Sequence, residues 1–135
     1  MEERGFQPVS SCSLSSARPS VSPEQETRAG FVAVNYIDCK PNYVERFECL
    51  FCSRARMIDN MPGFIGMKVL KCEEEGQPYL VVSYWETKAH FEAWVGSPEF
   101  HEGHKRAFAD LKEYRERSEE PPMTSSFKTY TVLAR

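Results

Sequence analysis

Two segments of this sequence are apolar on both alternating faces, and that restricts the fold more than any other feature. In residues 31–37, Phe31, Ala33 and Ile37 point one way while Val32, Val34 and Tyr36 point the other. In residues 79–86, Tyr79, Val81 and Trp85 oppose Leu80, Val82 and Tyr84. Helices of the same chain can cover only one face of such a sheet. The other face needs a partner, and a second copy of the same sheet is the simplest one, so a homodimer is expected.

The segments between these strands supply the rest of the fold. Pro41 stands where a first helical residue should, and Val44, Phe47, Phe51, Ala55 and Ile58 follow at helical spacing. Pro62-Gly63 ends that helix, residues 64–72 form a second strand, and 73–78 a polar turn. Thr87 caps a short helix carrying Phe91, Trp94 and Val95. Ser97-Pro98 starts another, with Phe100, His104, Ala107, Phe108 and Leu111 along one face. A loop over 119–126 leads to a last strand over 127–133. The order β-α-β-β-α-β predicts an α+β, ferredoxin-like domain.

The chain has 135 residues, 41% of them hydrophobic, which suits one domain with a real core. Residues 1–27 are rich in Ser and Pro with almost no apolar period, so they are expected to be a disordered extension to a domain spanning 28–135. A net charge of −3 with scattered Lys and Arg argues against nucleic acid and against an anionic membrane. No apolar run reaches the roughly 20 residues that span a bilayer. The five cysteines, without a secretory leader, read as reduced thiols of an intracellular, cytoplasmic protein. The acid-free stretch 10–22, which includes Arg18, faintly resembles a plastid transit sequence, and a plastid is the alternative compartment.

His104 is the most informative side chain. On the apolar stripe between Phe100 and Phe108 it is either a core histidine satisfied by a backbone carbonyl or a ligand to a haem iron. Asn35 is disfavoured in a strand and shares a face with Ala33 and Ile37, so it either bonds its own backbone or meets something polar. Trp94 is either an ordinary core aromatic or a rigid wall against a flat ligand. Cys49 and Cys52 form a CxxC inside a helix, without the ligand company of zinc or the helix N-terminus of a redox pair. His90 and His101 fall on expected exposed helix positions and belong to no HxxxH or HExxH motif. The run Glu73-Glu74-Glu75 is a solvated turn, and no glycine-rich phosphate loop or GxSxG is present.

Several stretches resemble the Isd-type haem-degrading monooxygenases, a branch of the antibiotic-biosynthesis-monooxygenase superfamily. They are Ala33-Val34-Asn35, Gly63-Phe64-Ile65-Gly66-Met67, Val82-Ser83-Tyr84-Trp85-Glu86-Thr87-Lys88, Phe91-Glu92-Ala93-Trp94 and the run from Ser97 to Lys105. The resemblance extends from about residue 30 to the C-terminus, and the Trp followed by His ten residues on is its specific part. It implies a dimeric α+β barrel that binds haem as both substrate and cofactor. It further implies that the ring is cleaved with O2 and electrons from a reductase or small-molecule reductant, releasing iron and a bilin-type product. By resemblance, Asn35 is the distal asparagine, Trp94 the distal tryptophan that distorts the porphyrin and His104 the axial ligand to the iron. Phe47 would join these three around the haem. Cofactor-free relatives that oxidise quinols often carry His at the positions of Trp94 and Glu99, and this sequence departs from them at both. The alternatives are a cofactorless oxygenase acting on quinols or phenols, and a non-enzymatic haem carrier. Tyr36, Cys49, Cys52 and the N-terminal extension depart from the haem-degrading pattern.

Overall fold

The computed structural model describes residues 28–135, and the Ser- and Pro-rich extension expected over 1–27, with its transit-like stretch, lies outside the described residues. The strands β1 (Phe31–Cys39), β2 (Phe64–Leu70), β3 (Tyr79–Trp85) and β4 (Met123–Thr131) form one sheet in the order β2-β3-β1-β4. Every neighbouring pair is antiparallel. One crossover carries α1 (Val44–Cys52), and the other carries α2 (Lys88–Val95), α3 (Pro98–Gly103) and α4 (Lys105–Glu116). This is the ferredoxin-like α+β arrangement that the pattern of elements predicts.

The register places side chains for the site. Asn35 lies opposite Val81 of β3 and Phe127 of β4, and Ala33 lies opposite Ser83. These residues share the helix-facing side of the sheet. Two apolar clusters form on that side. Phe31, Ala33, Trp85, Phe91 and Trp94 pack under α2, while Ile37, Tyr43, Phe47, Leu50 and Tyr79 pack under α1. Trp85 and Phe47 are 0% and 1% exposed, and burying such a side chain stabilises by about 1.5–3 kcal/mol.

Polar contacts, part-buried or exposed, tie α1 and the turn before it to their neighbours. Tyr43 Oη donates to Asp110 Oδ2 at 2.6 Å, and Arg46 Nε donates to the same oxygen at 2.9 Å. Tyr79 Oη donates to Glu48 Oε2 at 2.5 Å, where Lys71 Nζ also lies at 2.8 Å. Burial, and then the neighbouring carboxylate, pushes both tyrosines above their ordinary range. Burial also pushes the Cys39 thiol up to about 11, with Asp38 and Glu48 adding to it.

Three boundaries differ most from the sequence pattern, beside shifts of two residues at the C-terminal ends of β1, β2 and β4. Helix α1 ends at Cys52, so Ala55 and Ile58 fall beyond it. Ser53 Oγ bonds back to Cys49 O at 2.7 Å, Arg106 caps Leu50 O and Ser53 O at 3.0 and 2.9 Å, and Arg56 adopts φ 63°. The single helix expected after Ser97-Pro98 is broken at His104 (φ −104°, ψ 5°) into α3 and α4. Strand β4 begins at Met123, which pairs with Cys39, because Lys40 N–H bonds Pro122 O at 2.9 Å and holds the chain beside β1.

On the outer face Val32, Tyr36, Leu80 and Tyr84 are half-buried, while Leu70 and Tyr130 are exposed. Val34 and Val82 are buried, paired with Lys128 and Lys68, whose ammonium groups reach the Tyr36 and Tyr84 rings. Among the described residues, no helix is long and apolar enough to cross a membrane.

Candidate functional site

A cleft of about 720 Å³ separates the inner face of the sheet from the helices, within the range of about 300–1,000 Å³ usual for cofactor and small-molecule sites. Asn35, Phe47, Trp94 and His104 all line it. The four residues singled out in the sequence, far apart along the chain, therefore meet around one space.

Asn35 is half-buried in β1, and among the described residues its Oδ1 is the buried side-chain polar atom that has no hydrogen-bond partner. Leaving such an atom unpaired costs about 1–3 kcal/mol, which a structural residue would avoid by being apolar. Asn35 Oδ1 does not bond its own backbone.

A short series of hydrogen bonds joins Trp94 to His104. Ser97 Oγ donates to Trp94 O at 2.7 Å and accepts from Phe100 N at 3.1 Å, so one side chain closes α2 and opens α3. Phe100 O then lies 2.6 Å from His104 Nδ1 and accepts the His104 backbone N–H at 3.2 Å. A carbonyl only accepts, so Nδ1 carries a proton there, and any lone pair the ring offers is on Nε2. The ring lies tilted against Phe100 at 4.2 Å and stacked on Phe108 at 5.5 Å, centroid to centroid. The carbonyl-satisfied histidine and the metal-ligating histidine are therefore compatible, because the carbonyl takes one nitrogen and frees the other.

Trp94 is 6% exposed, meets Phe100 edge-on at 5.3 Å and has its ring centroid 6.2 Å from that of His104. Phe47 is packed between Phe51 and Tyr79, at 5.0 and 4.6 Å, and belongs to the wall more than to the space. Exposed Val95, Phe108 and Phe127 also line the cleft, so its edge is apolar as well.

The sequence reading missed a set of polar residues here. Arg54 and Arg56 line the cleft, and each donates to Asp59 at 3.0 Å, on Oδ1 and Oδ2 respectively. Two guanidiniums on one carboxylate leave a net positive group at the cleft. The Arg54-Ala55-Arg56 spacing was a visible signal, masked by assigning those residues to a helix. Ser83 also lines the cleft and accepts from Trp85 Nε1 at 2.9 Å. Arg106 joins the start of α4 to the end of α1. Cys49 and Cys52 sit on α1, and among the described residues no group of three His, Cys, Asp or Glu is arranged for a metal ion. His90 is half-buried, with Nδ1 2.8 Å from Thr87 Oγ1, while His101 is exposed.

Comparison with known proteins identifies the family and the fold. Residues 30–106 match the model of the family described as antibiotic biosynthesis monooxygenase. A heme oxygenase (mycobilin-producing) of Mycobacterium tuberculosis is 33% identical over 76 residues, covering 55% of this chain and 72% of the relative. The solved structure of the heme-degrader MhuD from M. tuberculosis, with two hemes bound in its active site, is 26% identical with a TM-score of 0.56. That match covers 78% of this chain and 97% of the other. SnoaB of Streptomyces nogalater, a cofactor-independent oxygenase, has a TM-score of 0.59 at 19% identity, covering 79% and 96%, and shares the fold. With the family model matching more than half of its length, the chain belongs to the antibiotic biosynthesis monooxygenase family.

Proposed function

We propose that this protein is a haem-degrading monooxygenase, cleaving the porphyrin with O2 and electrons from an external donor to give a bilin-type product and free iron. The observation that carries this reading is the 2.6 Å contact of His104 Nδ1 with Phe100 O, which occupies that nitrogen and leaves Nε2 as the atom that could ligate, in an apolar, aromatic surround. A cofactor-independent oxygenase needs no such atom. Asn35 adds an amide whose buried oxygen has no partner, and the cleft is large and mostly apolar. Those features fit haem.

Haem, when bound, supplies both the redox-active iron and the ring that is oxidised. The remaining work falls to side chains. His104 Nε2 would hold the iron, and Phe100 O would keep the ring in the tautomer that can do so. Asn35 would present its amide NH2 to a small ligand bound in the cleft and stabilise charge on it. Arg54 and Arg56 offer cationic partners for the propionate carboxylates. Trp94 supplies a rigid wall. The outer sheet face is the surface through which two copies would associate.

The test is to add haem to the purified protein, then a reductant in air with catalase present to remove free peroxide. The haem absorption should bleach with release of iron. Haem that stays intact under those conditions sinks the degrading reading and leaves a carrier. Turnover of a quinol or phenol without haem would favour the cofactor-independent reading, which the fold also accommodates.

A further inference from the structure

The cleft face of the sheet carries a second polar side chain beside Asn35. Ser83 of β3 lies opposite Ala33, two residues along the same face from Val81, which lies opposite Asn35. It is 9% exposed and lines the cleft. Diagonal neighbours on adjacent antiparallel strands are about 7–8 Å apart, near enough for both side chains to reach one small molecule.

Trp85 restricts what the Ser83 hydroxyl can do. Its Nε1 donates to Ser83 Oγ at 2.9 Å, and the indole is fully buried, so that bond is not exchanged for water. An oxygen that accepts in this way must still direct its own proton elsewhere, and no acceptor for it is found among the described residues. Accepting a hydrogen bond also polarises the O–H and strengthens it as a donor. The sheet therefore sets a donor without an acceptor, Ser83, near the Asn35 amide, whose buried Oδ1 has no partner and whose NH2 is the group that can donate to an anion.

We propose that Ser83 and Asn35 form a subsite for one small polar ligand, with the Ser83 hydroxyl donating to it from a direction set by Trp85. The inference rests on the haem reading, in which that ligand is the small molecule or anion opposite His104. Ser83 would then be a second hydrogen-bonding residue of the site rather than only a prop for the buried indole.

Fluoride titration of the protein reconstituted with ferric haem tests this, because a donor facing a small bound anion strengthens its binding. Ser83→Ala should weaken fluoride about tenfold, equivalent to about 1.4 kcal/mol, while Ser83→Thr should stay near wild type. Ser83→Ala strands the buried indole N–H, so the double variant Ser83→Ala/Trp85→Phe, which removes both partners, is measured beside it. It should show the same loss, and Trp85→Phe alone should lose much less. Asn35→Ala combined with Ser83→Ala should cost less than the sum of the two, because both act on one ligand. Fluoride bound as in wild type by Ser83→Ala and by the double variant overturns the subsite and leaves the haem reading standing. A wild-type protein that takes up no haem overturns both.

Discussion

His104 Nδ1 donates to the carbonyl oxygen of Phe100 at 2.6 Å, and the same carbonyl accepts the backbone N–H of His104 at 3.2 Å. One acceptor thus holds both the chain at the break between α3 and α4 and the orientation of the ring in the cleft. Ser97 links that acceptor's residue to Trp94, so the two aromatic side chains keep a fixed relation through α3.

Replacing His104 should separate binding from the rest of the fold. The His104→Ala protein should keep its secondary structure, since the ring is half-buried and its loss leaves only one carbonyl to be satisfied by its own backbone bond. Its haem affinity should fall at least about tenfold, or 1.4 kcal/mol. Free imidazole should restore part of the haem absorption spectrum. An unchanged titration would remove His104 from the site.

Arg106 should matter to the same ring from a distance. It donates to Leu50 O, Ser53 O and Ser53 Oγ at 2.9–3.0 Å, fixing the first turn of α4 against the end of α1. Charge-assisted hydrogen bonds contribute about 1.5–3 kcal/mol each at best, and partial exposure lowers the net for Arg106→Ala to about 1–2 kcal/mol. Chemical denaturation should show that loss. Arg106→Lys should recover little of it, because an ammonium lacks the planar fork that spans the two carbonyls.

The order of elements and the largely apolar outer face of the sheet were legible because alternation and helical spacing are local properties of the chain. The residues of the proposed site were legible for the opposite reason. Asn35 in a strand and His104 on an apolar stripe are locally anomalous, and the cleft gives each of them a place. The early end of α1 was not legible, since Arg106 imposes it from more than fifty residues away. The break at His104 was hidden as well, because Phe100, His104 and Phe108 keep helical spacing across it and stay in ring contact. Ser83 passed as an ordinary strand residue until its register beside Asn35 and its bond to Trp85 were visible.

Acid should loosen α1 from α4. Burial alone would raise Asp110, but hydrogen bonds from Arg46 and Tyr43 outweigh it and hold the carboxyl below the ordinary aspartate range. A group depressed in the folded state stabilises above its unfolded pKa, near 3.9, and loses that contribution as pH falls through the folded value. The denaturation midpoint of wild type should therefore drop between neutral pH and pH ~3. Asp110→Asn should start lower and lose less over that interval.

Gly63 should tolerate no side chain. It has φ +77°, and a Cβ added there would lie 2.1 Å from His90 Cγ. The strained backbone and the overlap act together, so Gly63→Ala should lose about 2 kcal/mol or more. Relief of the overlap by His90→Ala should recover only the packing share. Full recovery would show that the backbone conformation costs nothing.

The outer sheet face should join two copies. Val32, Tyr36, Leu80 and Tyr84 lie half-buried there, and Leu70 and Tyr130 are 43% and 41% exposed. Large apolar patches are rare on monomers, and a standard interface removes about 800 Å² from each partner. The lysine stems of Lys68 and Lys128 already shield Val82 and Val34, so association would rest on the tyrosines and leucines around them. Sedimentation at micromolar concentration should give the mass of two chains. Leu80→Asp would place a carboxylate at the centre of the buried patch without touching the cleft, because residue 80 points away from it. That variant should sediment as one chain and still take up haem. A wild-type mass of one chain would mean that the outer face is covered by something other than its own copy.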